Sequence, residues 1–136
     1  MPLRYVSDYS LTYAAQVCAN LSASCAPLGV GGKGLYRNCC DDGKTMADYF
    51  LQTCEGDDKG DYFNTSGAPR APPDDVVVNL GTNDYDLSQY VHEQPTLAHF
   101  GGNYTAFLLD LVARYGETAT GASALPALVV ACGPMR

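Results

Sequence analysis

The chain has 136 residues, 46% of them apolar and 17% charged, which fits one globular domain with enough sequence for a core and excludes wholesale disorder. Its formal net charge of −7 and pI near 4.4 exclude nucleic acid as a partner, because phosphate binding needs a basic face. No apolar run approaches the roughly 18 residues of a membrane span, so no membrane partner is expected.

Taken in chain order, the first element is an amphipathic helix over Tyr9 to Ala23. Leu11, Ala14, Ala15, Cys18, Ala19 and Leu21 recur at helical spacing, and Asp8 or Ser10 is placed to cap it. Pro27 to Val30 reads as a short strand running into Gly29-Val30-Gly31-Gly32-Lys33-Gly34, followed by a polar turn from Asn38 to Lys44. Thr45 to Thr53 reads as a short helix with Met46, Tyr49 and Phe50 inward, and Glu55 to Pro73 as a Gly-, Asp- and Pro-rich loop anchored by Phe63. Val76 to Val78 marks a buried strand that ends in Gly81-Thr82-Asn83-Asp84. Ser88 to Gly102 reads as irregular and holds both histidines, and Tyr104 to Tyr115 as a helix with Phe107, Leu108, Leu111 and Val112 on one stripe. Leu125 to Ala131 is a third strand, before Cys132-Gly133-Pro134. Alternating helices and strands predict an α/β sheet of parallel strands. No internal repeat is visible.

Six cysteines and three sequons point to an oxidising, secretory compartment. Cys18, Cys25, Cys39, Cys40, Cys54 and Cys132 contain no Cys-x-x-Cys pair, so a zinc site is not expected. The neighbours Cys39 and Cys40 are expected to look past each other, one of them towards Cys54. Cys18 and Cys132 occupy apolar positions and read as buried thiols. The sequons are Asn20-Leu21-Ser22, Asn64-Thr65-Ser66 and Asn103-Tyr104-Thr105. Met1-Pro2-Leu3-Arg4 leads into polar sequence without an apolar leader, so a secreted or extracellular protein that has lost its beginning is expected.

Two clusters can carry chemistry. Gly29, Gly31 and Gly34 match G-x-G-x-x-G, but Leu35-Tyr36-Arg37-Asn38 leads into another turn where a dinucleotide site needs a helix. The alternative is that Gly32 brings its backbone N–H close to a ligand, which a Cβ would obstruct; the plain reading is a flexible turn. At the other cluster Asn83 sits where ligands collect in open α/β sheets, and its amide is a neutral donor suited to an oxyanion. The plain reading there is an Asx-type turn ending a strand.

In this order, Gly-Gly-Lys-Gly-Leu-Tyr-Arg-Asn, a short helix, a long loop, then Val-Val-Val-Asn-Leu-Gly-Thr-Asn-Asp-Tyr, the sequence resembles an SGNH/GDSL hydrolase. More narrowly it resembles the carbohydrate esterases of the acetyl-xylan esterase type, family 2, from about Tyr13 to Pro134. Gly31 stands where that family more often has Ser. The resemblance implies an α/β fold of three α/β/α layers, a flavodoxin-like doubly wound parallel sheet, present as a single partial domain over residues 1–136. It implies that Gly32 and Asn83 are oxyanion donors, with Asp84 and Gly81 structural, Asp84 bonding backbone amides to hold the loop. It implies no metal and no cofactor, and an acylated carbohydrate or small ester as substrate.

The same resemblance defines what this sequence does not contain. The family's nucleophile lies in a Gly-Asp-Ser block and its base in an Asp-x-x-His block. None of Ser7, Ser10, Ser22, Ser24, Ser66, Ser88 and Ser123 follows Gly-Asp, and neither His92 nor His99 follows an Asp at three residues. In the implied mechanism Ser attacks an ester carbonyl and His accepts and returns the proton. This chain alone is therefore expected to be inactive. Without the family's first strand, the strands at Pro27 and Val76 are expected to lose a shared neighbour, leaving a marginal, aggregation-prone fold unless they pair directly. The alternative function is a non-catalytic remnant that binds glycan or protein.

Overall fold

The computed structural model describes residues 8–52, 73–86, 94–118 and 125–132. The expected loop anchor Phe63, the sequon at Asn64, Cys54, Ser88 and His92 lie outside the described residues. At the centre is a strand whose β-branched run suits a pleated surface, β1 (Asp75–Leu80). It pairs in parallel with β2 (Ala127–Cys132), in register from Asp75 opposite Ala127 to Leu80 opposite Cys132. Parallel neighbours need a long crossover, and the segment between them contains the longest described helix, α3 (Leu97–Thr118). Together with α1 (Tyr13–Leu21) and α2 (Met46–Tyr49), this makes a mixed α/β architecture.

The strand expected to be buried is covered on one side only. Val78 is buried, whereas its neighbour Val77 is 59% exposed, as strand alternation dictates when one face has cover. On β2, Val129 and Val130 are also exposed. Among the described residues β1 has no second neighbour, so its other edge is unpaired.

The strand expected at Pro27 to Val30 does not form. The backbone there joins no ladder, and Leu28 is exposed. Pro27 has no N–H to donate and Gly29 adds backbone freedom, so without a partner the segment has little reason to stay extended in a sheet.

The first helix is shorter than its periodicity predicts. A 3-10 turn occupies Tyr9–Leu11, and the chain then opens at Thr12 (ψ 152°) before α1 begins. Asp8 caps the turn by accepting from the Ser10 N–H at 2.9 Å, while Thr12 caps α1 by accepting from the Ala15 N–H at 3.2 Å. Leu11 and Leu21, placed inward by the periodicity, are 72% and 71% exposed. The helical pattern is real, but nothing among the described residues covers that part of it.

Helix α2 is also shorter than expected, with Thr45 as its N-cap and Asp48 reaching back to the Thr45 N–H at 2.8 Å. Met46 is buried as expected, and Tyr49 and Phe50 are half-buried. Helix α3, by contrast, is longer than expected: residues 97–102, part of the segment read as irregular, are helical. Thr96 accepts from the His99 N–H at 3.2 Å and starts the helix. Gly101 and Gly102 each cost about 1 kcal/mol there. Edge-to-face ring pairs offset that cost, Tyr85 with Phe100 at 5.2 Å, Phe100 with Tyr104 at 5.5 Å and Phe50 with Phe107 at 5.5 Å. Leu111 on the same helix is 1% exposed and belongs to the core with Leu35, Met46 and Val78.

Two disulfides are present among the described residues, Cys18–Cys25 and Cys39–Cys40. Cys18 is therefore a bridge partner rather than a buried thiol, and Cys39 bonds its own neighbour rather than looking past it. Both bridges fit an oxidising compartment. No helix among the described residues is long and apolar enough to cross a membrane.

Candidate functional site

The end of β1 and the glycine loop meet around one carboxylate. After Leu80 the chain turns at Gly81 (φ 122°) into a 3-10 turn, Asn83–Tyr85, which points Asp84 inward until none of it is exposed. Its Oδ2 accepts from the Leu35 N–H at 2.9 Å, and its Oδ1 accepts from the Tyr36 N–H at 2.6 Å and the Arg37 N–H at 2.9 Å. Three consecutive backbone amides, nearly fifty residues away in sequence, thus share one acceptor. Hydrogen bonds to a carboxylate are about twice as strong as neutral ones, and each buried amide left without a partner would cost about 1–3 kcal/mol.

Arg37 closes the junction from the other side. Its Nε donates to the Asp84 carbonyl at 3.1 Å and its Nη2 to the Asp86 carbonyl at 3.0 Å, so the planar fork grips the turn that carries Asn83. Gly34 is required at the centre of this arrangement. A Cβ there would overlap the Arg37 carbonyl oxygen and lie 2.5 Å from Asp84 Oδ2. The sequence singled out Gly34 as part of a motif; the structure gives it the role of letting two backbones and a carboxylate approach.

A second polar centre, Asn38, holds the rest of the loop. It is 4% exposed, its Oδ1 accepts from the Gly34 N–H at 3.3 Å, and its Nδ2 donates to Asp41 at 2.8 Å and to the Gly43 carbonyl at 2.9 Å. Asp41 in turn binds the Lys33 ammonium with both oxygens at 2.8 Å. That ammonium, and next the Gly43 N–H, hold the Asp41 carboxyl below its ordinary value of 3.8. Lys33 also lies 5.6 Å from the centre of the Tyr49 ring, and its side chain is only 10% exposed. The Gly34 carbonyl accepts from the Met46 N–H at 2.8 Å and fastens the loop to the start of α2.

Gly32 and Asn83 lie together at this junction. The Asn83 Nδ2 donates to the Lys33 carbonyl at 2.8 Å, placing its amide one residue along the loop from Gly32. An amide nitrogen carries two hydrogens, so one remains available. Gly32 is left-handed (φ 78°), and a Cβ there would lie 3.3 Å from the Cys39 sulfur. Its carbonyl accepts from the Cys39 N–H at 3.0 Å, while its own N–H has no partner among the described residues. The arrangement therefore offers two neutral donors beside a tightly held backbone.

Other expected features lie elsewhere. His99 is exposed on the first turn of α3, and Thr96 rather than Asp stands three residues before it. No group of three or more His, Cys, Asp or Glu residues is arranged to hold a metal ion among the described residues. Asn38 and Asp41 were legible only as members of a polar turn, and Arg37 only as part of the run leading into it. The partners that give Arg37 its place are 47 and 49 residues away, so no local pattern signals it. Compared with family models, curated proteins and solved structures, the chain matches none of them.

Proposed function

We propose that this chain carries the oxyanion-binding part of an SGNH-type serine esterase acting on acetyl or other carboxylic esters of carbohydrate. The observation that carries the reading is the convergence of Gly32 and Asn83. Asn83, 51 positions along the chain from Gly32, donates to the carbonyl of Lys33, the residue after Gly32, and Asp84 holds the Leu35 amide beyond it, which supports this reading. In this reading the Gly32 N–H and the remaining Asn83 amide hydrogen receive the negative charge that develops on the ester carbonyl oxygen. Asp84, Arg37, Asn38 and Gly81 touch no substrate; they fix the two donors so that little reorganisation is needed during the reaction. The α/β arrangement is, in the same reading, the doubly wound three-layer fold of that superfamily, and the setting is extracellular. The chemistry requires neither metal nor cofactor.

The nucleophile and base of this reaction are not among the chain's own residues, so the chain by itself should not turn over an aryl acetate. The test uses the product of the complete reading frame that encodes it. That product should hydrolyse acetylated carbohydrate, lose activity to a serine-directed phosphonate, and lose on the order of 10²–10³ in kcat on Asn83→Ala with little change in KM. Retained glycan binding with no ester turnover would favour a non-catalytic binding module and overturn the esterase reading. Full activity in Asn83→Ala would remove Asn83 from the site.

A further inference from the structure

Helix α1 presents an apolar stripe to solvent. Tyr13, Val17 and Leu21 recur every fourth residue, which places them on one face, and they are 63%, 50% and 71% exposed. Exposed apolar side chains that share one helix face make that face a candidate for cover. Asn20 stands three residues after Val17 and directly before Leu21, beside that stripe.

We propose that Asn20 is an N-glycosylation site whose oligosaccharide covers the exposed stripe of α1. Asn20 is exposed, and its side chain has no hydrogen-bond partner among the described residues. The sequon straddles the end of the helix: Ser22 is its left-handed C-cap (φ 51°) and is also exposed. Both groups that the modification reads are therefore at the surface, at a helix end where little structure has to open. The Cys18–Cys25 bridge encloses the sequon and fits the compartment in which such transfer occurs. Asn103 makes a useful contrast. It is exposed too, but it lies inside α3, and its Nδ2 already donates to the His99 carbonyl at 2.8 Å.

The transfer balances simply. Asn20 Nδ2 forms a bond to C1 of the first sugar, the bond from that C1 to a lipid-linked pyrophosphate breaks, and the amide gives up one proton. The lipid pyrophosphate is the leaving group. The product is a bulky, hydrated group anchored beside Val17 and Leu21.

The experiment is peptide mapping of the chain secreted from a eukaryotic host, with and without peptide N-glycosidase, which leaves aspartate at each released position. Modification should be found at Asn20, be lost in Asn20→Gln and Ser22→Ala, and persist in Ser22→Thr and Asn103→Gln. Enzymatic removal from the folded protein should raise binding of a hydrophobic dye, and Val17→Ser with Leu21→Ser should suppress that rise. Unmodified Asn20 in secreted wild-type protein overturns the site. Dye binding unchanged on removal overturns the covering role.

Discussion

The glycine loop and helix α1 both come early in the chain, yet they are held by opposite means. The loop from Gly32 to Thr45 has few large apolar side chains, but it is tied down by polar bonds: Asp84 takes three amides, and Asn38 bridges Gly34, Asp41 and Gly43. Helix α1 has the stronger apolar periodicity and buries none of its residues fully. Periodicity states only which side chains share a face, whereas cover depends on what the rest of the fold brings to that face. In this protein, specific long-range hydrogen bonds define the candidate site, and apolar patterning defines surface that is still exposed.

The contrast can be broken most severely at Asp84. Asp84→Ala leaves the buried Leu35 amide and the part-buried Tyr36 and Arg37 amides without their acceptor, so a loss of about 3 kcal/mol is expected. Hydrogen exchange at Leu35, Tyr36 and Arg37 should rise together, and unchanged protection would mean the carboxylate is not what holds the loop. Gly34→Ala comes next. Its added Cβ has no room, and about 2–4 kcal/mol is expected, whereas Gly29→Ala meets nothing within 4 Å and should stay within about 0.5 kcal/mol. Equal urea midpoints for the two variants would refute the close approach at Gly34.

Truncations sharpen the apolar half of the comparison. Leu111→Ala removes a side chain that is 1% exposed and should cost about 2–5 kcal/mol. Leu21→Ala, at 71% exposure, should cost under about 0.5 kcal/mol in thermal unfolding. A comparable cost at both positions would show that α1 has cover after all. The smallest effect is expected at the exposed Asp41. The Lys33 ammonium depresses its carboxyl below 3.8, so its contribution is present above that pH and fades as pH falls through the lower folded value. Asp8 acts with the same sign through its bonds from Ser10. An acid titration of stability should therefore be slightly shallower below pH 3.8 in Asp41→Asn than in the parent, and identical slopes would remove Asp41 from the acid response.

The parts of the fold that were legible in the sequence are those whose signal is local. The valine run of β1, the strand expected over Leu125 to Ala131 and found at Ala127–Cys132, and the apolar stripe of Phe107, Leu108, Leu111 and Val112 follow from residue type and spacing. Local signals failed where context decided. Pro27 to Val30 had strand composition without a strand to pair with, and Gly101-Gly102 had breaker composition inside a helix that Thr96 starts and aromatic rings hold. The cysteines behaved likewise, because pairing depends on where the backbone places each sulfur, as at Cys18 with Cys25.

At the candidate site the division is cleaner. The sequence by itself determined the residue types: a glycine able to adopt φ 78° at position 32, an amide at 83 and a carboxylate at 84, each at a turn. Only the tertiary structure decided that these turns are one place. Asp84 has no acceptor duty until the amides of Leu35, Tyr36 and Arg37 arrive, and Asn83 has no neighbour at Gly32 until Lys33 is brought within 2.8 Å. The physical reason is that a hydrogen bond of this kind is short-ranged and directional, so residues so far apart in sequence acquire it only after the chain between them has folded.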